Sequence, residues 1–335
     1  MDEILVSINC ITYNHEKYVA EAIDSFLMQK TNFKFEILIH DDASTDRTTC
    51  IIMEYQKKYP DLIKPILQKE NQQSQGISKI FYTFNHVRAK GKYIAMCEGD
   101  DYWTDPYKLQ KQVDYMENHP DCSMCFHAAD KVKVGIGKIS TIMPYDQNCI
   151  SPTADIVLGG GGFMATSSIL YRKTSMDNAP DFFFNAPVGD YPLQILTSTK
   201  NYAYYINEVM SAYRVGVEGS WTSDMASKIN WEEKFIEHFK RTIEMLKRFN
   251  QYSQGKYSDI VNKKILRKEF EILKIEKKIK QLKGPKYKAI YNDIGLKEKT
   301  IIYAMCYFPK MCHRIASFEK CMKQYMEIVR QSLSN

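Results

Sequence analysis

The first 125 residues alternate short apolar runs with amphipathic stretches, and this constrains the fold more than any other feature of the chain. Such alternation calls for βα units and a mainly parallel sheet. The runs "ILVSINCI" (4–11), "FEILIH" (35–40), "IKPILQ" (63–68) and "KYIAMC" (92–97) read as strands. Between them, "EKYVAEAIDSFLMQ" (16–29) sets Val19, Ala22, Ile23, Phe26 and Leu27 on one helical face. "RTTCIIMEYQKKY" (47–59) reads as a helix capped by Ser44, Thr45 and Asp46, and "SKIFYTFNHVRAK" (78–90) as a third helix.

Beyond residue 125 the pattern loosens. "SMCFHA" (123–128), "GFMATSSILYR" (162–172) and "YAYYINEVMSAYRV" (202–215) read as strands, and "GDYPLQILTST" (189–199) as a helix start. From about 228 the chain turns helical: Trp231, Phe235, Phe239, Ile243 and Leu246 hold a 3.6-residue period. "KGP" (283–285) breaks the run, and a last helical stretch covers 298–332. The expected organisation is an α/β domain over 1–227, a mixed, mainly parallel sheet flanked by helices, and a C-terminal helical extension over 228–335.

Charge separates the same two parts. Residues 228–335 carry 25 Lys and Arg against 12 Asp and Glu, whereas residues 1–227 carry 21 against 28. A basic tail studded with Tyr, Phe and Met suits an anionic membrane surface, a homodimer interface, or simply solvated helix faces. No window reaches the roughly 18–20 apolar residues of a membrane span. The start lacks a basic region ahead of its apolar stretch, so no export signal is expected. Nine scattered cysteines fit free thiols in a reducing compartment, and the lone "CSMC" (122–125) fits strand packing. The expected location is cytoplasmic, with peripheral attachment at the inner face of the membrane as the use open to the tail.

In open parallel sheets ligands bind beyond the carboxyl ends of the strands. Every early polar cluster falls at such an end: "TYN" (12–14), "DDAS" (41–44) and "EGDD" (98–101). Three carboxylates as close as Glu98, Asp100 and Asp101 repel one another, and a chain that keeps them there generally has positive charge to hold.

The ordered blocks "VSINCITYNHEKYVAEAIDSFLMQ", "FEILIHDDASTDRT", "GKYIAMCEGDDYWTDPYKLQKQ", "GDYPLQI" and "MSAYRVGVEGSWT" resemble family 2 glycosyltransferases, inverting enzymes of GT-A fold that use nucleotide sugars. The resemblance covers residues 4–222. It implies that Asp100 binds Mn2+ or Mg2+ bridging the donor's diphosphate, and that Glu98 contacts the donor ribose or a metal-bound water, with Gly99 letting the backbone approach. It also implies that Asp42 accepts from a uracil N3–H, that Tyr13 stacks on the base and that Ile11 and Thr12 line its edge. Asp190, at a helix start, is the implied base for the acceptor hydroxyl, its plain alternative being a helix cap. Trp103 is expected either as a wall of the sugar pocket or as an anchor for the next helix. Lys79 is expected to be a solvated lysine, with the nucleotide as its alternative contact, and His127 a core residue.

The stretches "GGGGFMATSS" (159–168) and "EGSWTS" (218–223) read as mobile loops near acceptor and donor. One departure stands out: Gly216 occupies the place after "YR" where many relatives carry a metal-binding histidine. The implied partners are a UDP-sugar donor and a glycan or lipid-linked glycan acceptor, as in cell-surface polysaccharide synthesis. Two other readings compete. A nucleotidyltransferase making a sugar nucleotide would want a glycine-rich first loop, which "ITYNHEKY" lacks. A nucleic-acid- or anion-binding protein would rest on the basic tail, but nucleic acid is not the expected partner.

Overall fold

A computed structural model describes residues 3–220, 225 and 230–307. The chain divides into two compact units, Met1–Ile156 with Gly162–Gly219, and Val157–Gly161 with Ser220–Asn335.

The first unit alternates β1 (Ile4–Thr12), α1 (Val19–Leu27), β2 (Lys34–Asp41), α2 (Thr48–Lys58), β3 (Ile63–Leu67) and, after a π-helical turn at Phe81–His86, β4 (Tyr93–Met96). It continues through β5 (Tyr102–Trp103), α3 (Lys108–Asn118), β6 (Cys122–Lys133), β7 (Gly137–Ile142), β8 (Cys149–Ser151), α4 (Thr153–Gly159, whose residues from Val157 on belong to the second unit), β9 (Leu170–Arg172), α5 (Asp181–Asn185), α6 (Asp190–Lys200) and β10 (Tyr202–Val215). The strands form one sheet in the order β3-β2-β1-β4-β9-β6-β10-β5, with β7 on β6 and β8 on β10. Strands β3, β2, β1 and β4 are parallel, and β9 runs antiparallel to both β4 and β6. Strand β6 therefore points the same way as β4, and β10 runs parallel to β6. The carboxyl ends of β1, β2, β4, β6 and β10 thus share one rim. The alternation becomes a core because each strand contributes a continuous apolar run, with Val6, Ile8, Ile37, Ile39 and Tyr93 all fully buried, as expected for parallel strands covered on both faces.

Three expectations are corrected. The stretch 162–172 is a strand only over its last three residues, preceded by 3-10 turns at Gly161–Phe163 and Thr166–Ser168. Its carbonyls serve side chains instead of a ladder: Ser167 O accepts from Trp103 Nε1 (2.9 Å) and Ser168 O from Gln112 Nε2 (2.9 Å). The helix expected over 78–90 is a π-turn, an arrangement that often re-aims a side chain. Here Asn85 Nδ2 donates to Asn9 Oδ1 (2.9 Å) and Cys10 O (3.0 Å), bolting the turn to β1. Finally, Trp103 is 1% exposed: it meets Phe26 edge to face at 4.8 Å and carries Lys108 Nζ over its ring at 4.2 Å. It is a core anchor with no face left for a sugar.

The second unit contains α7 (Trp231–Tyr252), α8 (Ser258–Ile275), α9 (Ile279–Leu282), α10 (Lys288–Asp293) and α11 (Leu296–Tyr307). Phe235, Phe239, Ile243 and Leu246 are buried at the expected period, while Trp231 is half-buried. The break at "KGP" separates α9 from α10, and the part of the last expected helix beyond 307 lies outside the described residues. Its positive charge is not all on solvated faces. Lys274 is buried between Glu271 (2.9 Å) and Glu298 (2.5 Å), and Lys264 Nζ donates to Leu158 O (2.6 Å). Lys268 lies over the Phe239 ring at 5.0 Å, and burial lowers its pKa to about 8. No helix of the described residues is long and apolar enough to cross a membrane.

Trp103→Ala should cost about 3–5 kcal/mol of stability, as truncation of a buried Trp generally does. Urea unfolding of the whole chain reads this directly, and a loss below about 1 kcal/mol would place the ring outside the core.

Candidate active site

Two loops are laced together at the carboxyl ends of β1 and β2. Asn14, in the left-handed region at φ 55°, donates its N–H to Ser44 Oγ (2.8 Å) and accepts from Thr45 N–H at Oδ1 (2.8 Å). One turn on, Glu16 N–H donates to Asp46 Oδ2 (3.0 Å) and Arg47 N–H to Glu16 Oε2 (3.0 Å). Of the three expected helix caps, only Asp46 serves α2, accepting from Thr48 N–H (2.9 Å). Ser44 Oγ instead donates to Asp41 Oδ1.

Strand β1 is central, so its end meets both neighbours: Asp42 N–H donates to Thr12 O (3.0 Å) and Gly99 N–H to Ile11 O (2.9 Å). Ile11, Thr12, Asp42, Gly99 and Asp100 therefore stand on one rim. Tyr13 beside them is 41% exposed, which removes core packing as its role. Gly99 is required by close approach, because a Cβ there would lie 2.7 Å from Thr12 Oγ1 and 3.1 Å from His15 Nδ1. The Asp42 carboxylate is buried and accepts Gln72 N–H (2.8 Å) and Gln73 N–H (3.1 Å), so it organises the 70–75 loop.

The acidic loop is strained electrostatically. Burial first, then the charges of Asp100 and Asp190, hold the Glu98 carboxyl well above the usual carboxylate range. Asp101 is fully buried and pushed up by burial, Asp100 and Glu98, while Arg214 opposes the rise. Arg214 is the strap. Its N–H donates to Asp101 Oδ1 (2.8 Å) and its Nη1 to Asp100 O (2.6 Å), its guanidinium pairs with Glu21, and it lies over Tyr102 at 4.3 Å. Among the described residues, three buried polar atoms around the loop have no hydrogen-bond partner: Thr12 Oγ1, His15 Nδ1 and Asp101 Oδ2. His15 Nε2 lies 3.9 Å from Asp100 Oδ2. Among the described residues, no group of three or more His, Cys, Asp or Glu side chains is arranged to hold a metal ion by itself.

Asp190 opens α6 and joins this group electrostatically, since its charge helps raise Glu98. Its Oδ1 accepts Tyr191 N–H (2.7 Å) as a cap would. Burial raises its pKa against that hydrogen bond and the nearby Lys79 charge. Gly189 lets the helix start sit close, because a Cβ there would meet Phe81 Cε1 at 2.6 Å. Lys79 is not solvated: it is buried, and its Nζ donates to Ala186 O (2.7 Å). His127 is a core residue, its Nδ1 2.8 Å from Ala128 O, and burial holds its pKa well below the usual value. Within the 159–168 stretch, 3-10 turns replace the expected open loop. Residues 221–223 of the expected donor lid lie outside the described residues.

His15 and Arg214 are the contributors the sequence reading missed. Each stands in a quoted block, one following "TYN" and the other within "AYRV", but their partners lie across the fold.

The glycosyl transferase family 2 model matches residues 7–178. An uncharacterized protein of Mycobacterium tuberculosis is 37% identical over 233 residues, 68% of this chain and 64% of its own length. This chain thus spans just under two thirds of that relative. Among solved structures, Staphylococcus aureus TarS in complex with UDP-GlcNAc matches with a TM-score of 0.59 at 15% identity, covering 98% of this chain and 90% of the other. The mannosyltransferase PcManGT from Pyrobaculum calidifontis, solved with GDP-Man and Mn2+, matches with a TM-score of 0.55 at 13% identity, covering 98% and 86%. The chain belongs to glycosyl transferase family 2, and its α/β unit has the GT-A fold.

Relieving like-charge repulsion should stabilise the ligand-free protein: Asp100→Asn is expected to gain about 1 kcal/mol at pH 8. The sign follows from the raised folded-state pKa values of Glu98 and Asp101, which make the wild type lose stability as pH rises from the unfolded carboxylate range through those values. The advantage of the variant should therefore shrink toward about pH 4.5, as read by denaturant melts across pH. An equal or lower stability of the variant at pH 8 would refute the repulsion account.

Proposed function

We propose that this chain is an inverting glycosyltransferase that moves a sugar from a nucleotide diphosphate sugar, a UDP-sugar, to a hydroxyl of a glycan or lipid-linked glycan. The observation that carries the reading is the gathering of Asp42, Glu98, Asp100 and Asp190 at one rim, together with the family membership. Asp42 accepts the base N–H, a role left open by the lone pairs its two loop hydrogen bonds do not use. Tyr13 offers an exposed ring to the base, with the Ile11 and Thr12 backbone along its edge, and Glu98 faces the ribose.

The residues fit a divalent ion of the Mg2+ or Mn2+ type. The donors are oxygen-rich and crowded with negative charge, and Asp100 is the ligand with His15 in reach. When bound, such an ion neutralises the charge that grows on the leaving diphosphate. Asp100, with His15 in reach, would hold such an ion only in part, so tight seating would depend on ligands from outside the protein. Asp190 takes the proton of the acceptor hydroxyl, and the rise in its pKa makes it a stronger base. Arg214 and Gly99 keep the acidic loop seated while charge redistributes.

The test is a donor screen that follows UDP release across nucleotide sugars in the presence of Mn2+. Asp190→Asn should lower turnover by about 100-fold or more with donor affinity nearly unchanged. Near wild-type turnover in that variant would remove Asp190 from the base role.

We also read the exposed lysines of the helical unit as a peripheral membrane contact, since lipid-linked acceptors sit on membranes. Flotation of the whole chain with anionic but not neutral vesicles would support this, and equal recovery with both would overturn it.

A further inference from the structure

A shallow, open groove of about 410 Å3 lies at the same rim on the β6–β10 side. Lys17, Tyr18 and Glu21 line it from the entry to α1, Tyr102 from β5, Lys133 from the end of β6, and Arg214 from β10. Arg214 is thus a shared wall: the guanidinium that borders this groove also holds the Asp100 carbonyl on the other side.

The charges in the groove do not cancel. Glu21 is taken up by its ion pair with Arg214, whereas the Lys17 and Lys133 side chains are exposed and form no ion pair among the described residues. The uncommitted charge is positive, within a few residues of a strongly acidic loop. Two half-buried tyrosines flank it, each with the Arg214 guanidinium over its ring (5.1 Å for Tyr18, 4.3 Å for Tyr102), and their polar tips and remaining ring edges suit a polar ring carrying charge.

We propose that this groove is the acceptor subsite and that it selects an acceptor sugar bearing an anionic group, a phosphate or a carboxylate. The proposal rests on the glycosyltransferase reading of the rim. It assigns Lys17 and Lys133 to the anion and Tyr18 and Tyr102 to the ring.

The test uses the whole chain and ligand-observed NMR titrations with glucose 6-phosphate, glucuronic acid and glucose, each with and without UDP and Mn2+. At least one of the two anionic sugars should bind about tenfold more tightly than glucose, and which one does so separates phosphate from carboxylate recognition. The double variant Lys17→Glu/Lys133→Glu should lose that preference, with its melting temperature in UDP and Mn2+ as the folding control. A more conservative Lys17→Gln/Lys133→Gln pair should lose part of it. Equal binding of all three sugars, or a preference retained in both double variants, would overturn the proposal. Failure of UDP with Mn2+ to stabilise the wild type would instead count against the donor reading, and the sugar comparison would still decide the groove.

Discussion

Three carboxylates in four residues, two of them buried, are the constraint around which the α/β unit is arranged. Left alone, Glu98, Asp100 and Asp101 would drive the β4–β5 loop into solvent, where water could screen them. Arg214 prevents this from a strand far away in the chain, with its backbone N–H on one carboxylate and its guanidinium on a backbone carbonyl. The positive charge is itself steadied by Glu21 and by the rings of Tyr18 (5.1 Å) and Tyr102. The long β10 therefore does more than extend the sheet: it carries the counter-charge to the acidic loop. The arrangement is one in which stability is held below its optimum by like charges kept close together.

Much of the fold was legible because parallel strands buried on both faces announce themselves as apolar runs, and β1, β2 and β4 lie where such runs stand. What failed was local. The 162–172 stretch has the apolar and hydroxyl residues of a strand, but its backbone carbonyls are claimed by Trp103 and Gln112, a demand set by tertiary packing. The π-turn at Phe81–His86 likewise follows from Asn85 reaching β1, which no periodicity encodes.

The proposed site was legible in where its carboxylates stand and less so in what surrounds them. Order and residue type locate Asp42, Asp100 and Asp190 at the ends of β2 and β4 and the start of α6. His15, Arg214 and the burial of Lys79 depend on partners distant in sequence, and a lone cationic side chain carries no mark of the carboxylate it will meet. Trp103 shows the converse, since an aromatic beside an acidic motif reads equally as a binding wall or a helix anchor, and its burial selects the anchor.

The lacing of Asn14 to Ser44 and Thr45, and of Glu16 to Asp46 and Arg47, has a mechanical consequence. These hydrogen bonds between the β1 and β2 loops make them a single stiff shelf, so neither can swing aside without the other. Any opening and closing of this rim must then fall to segments outside the shelf. The backbone beneath Tyr13 and Asp42 is therefore fixed in advance, and a ligand of the proposed kind would lose little ordering entropy there.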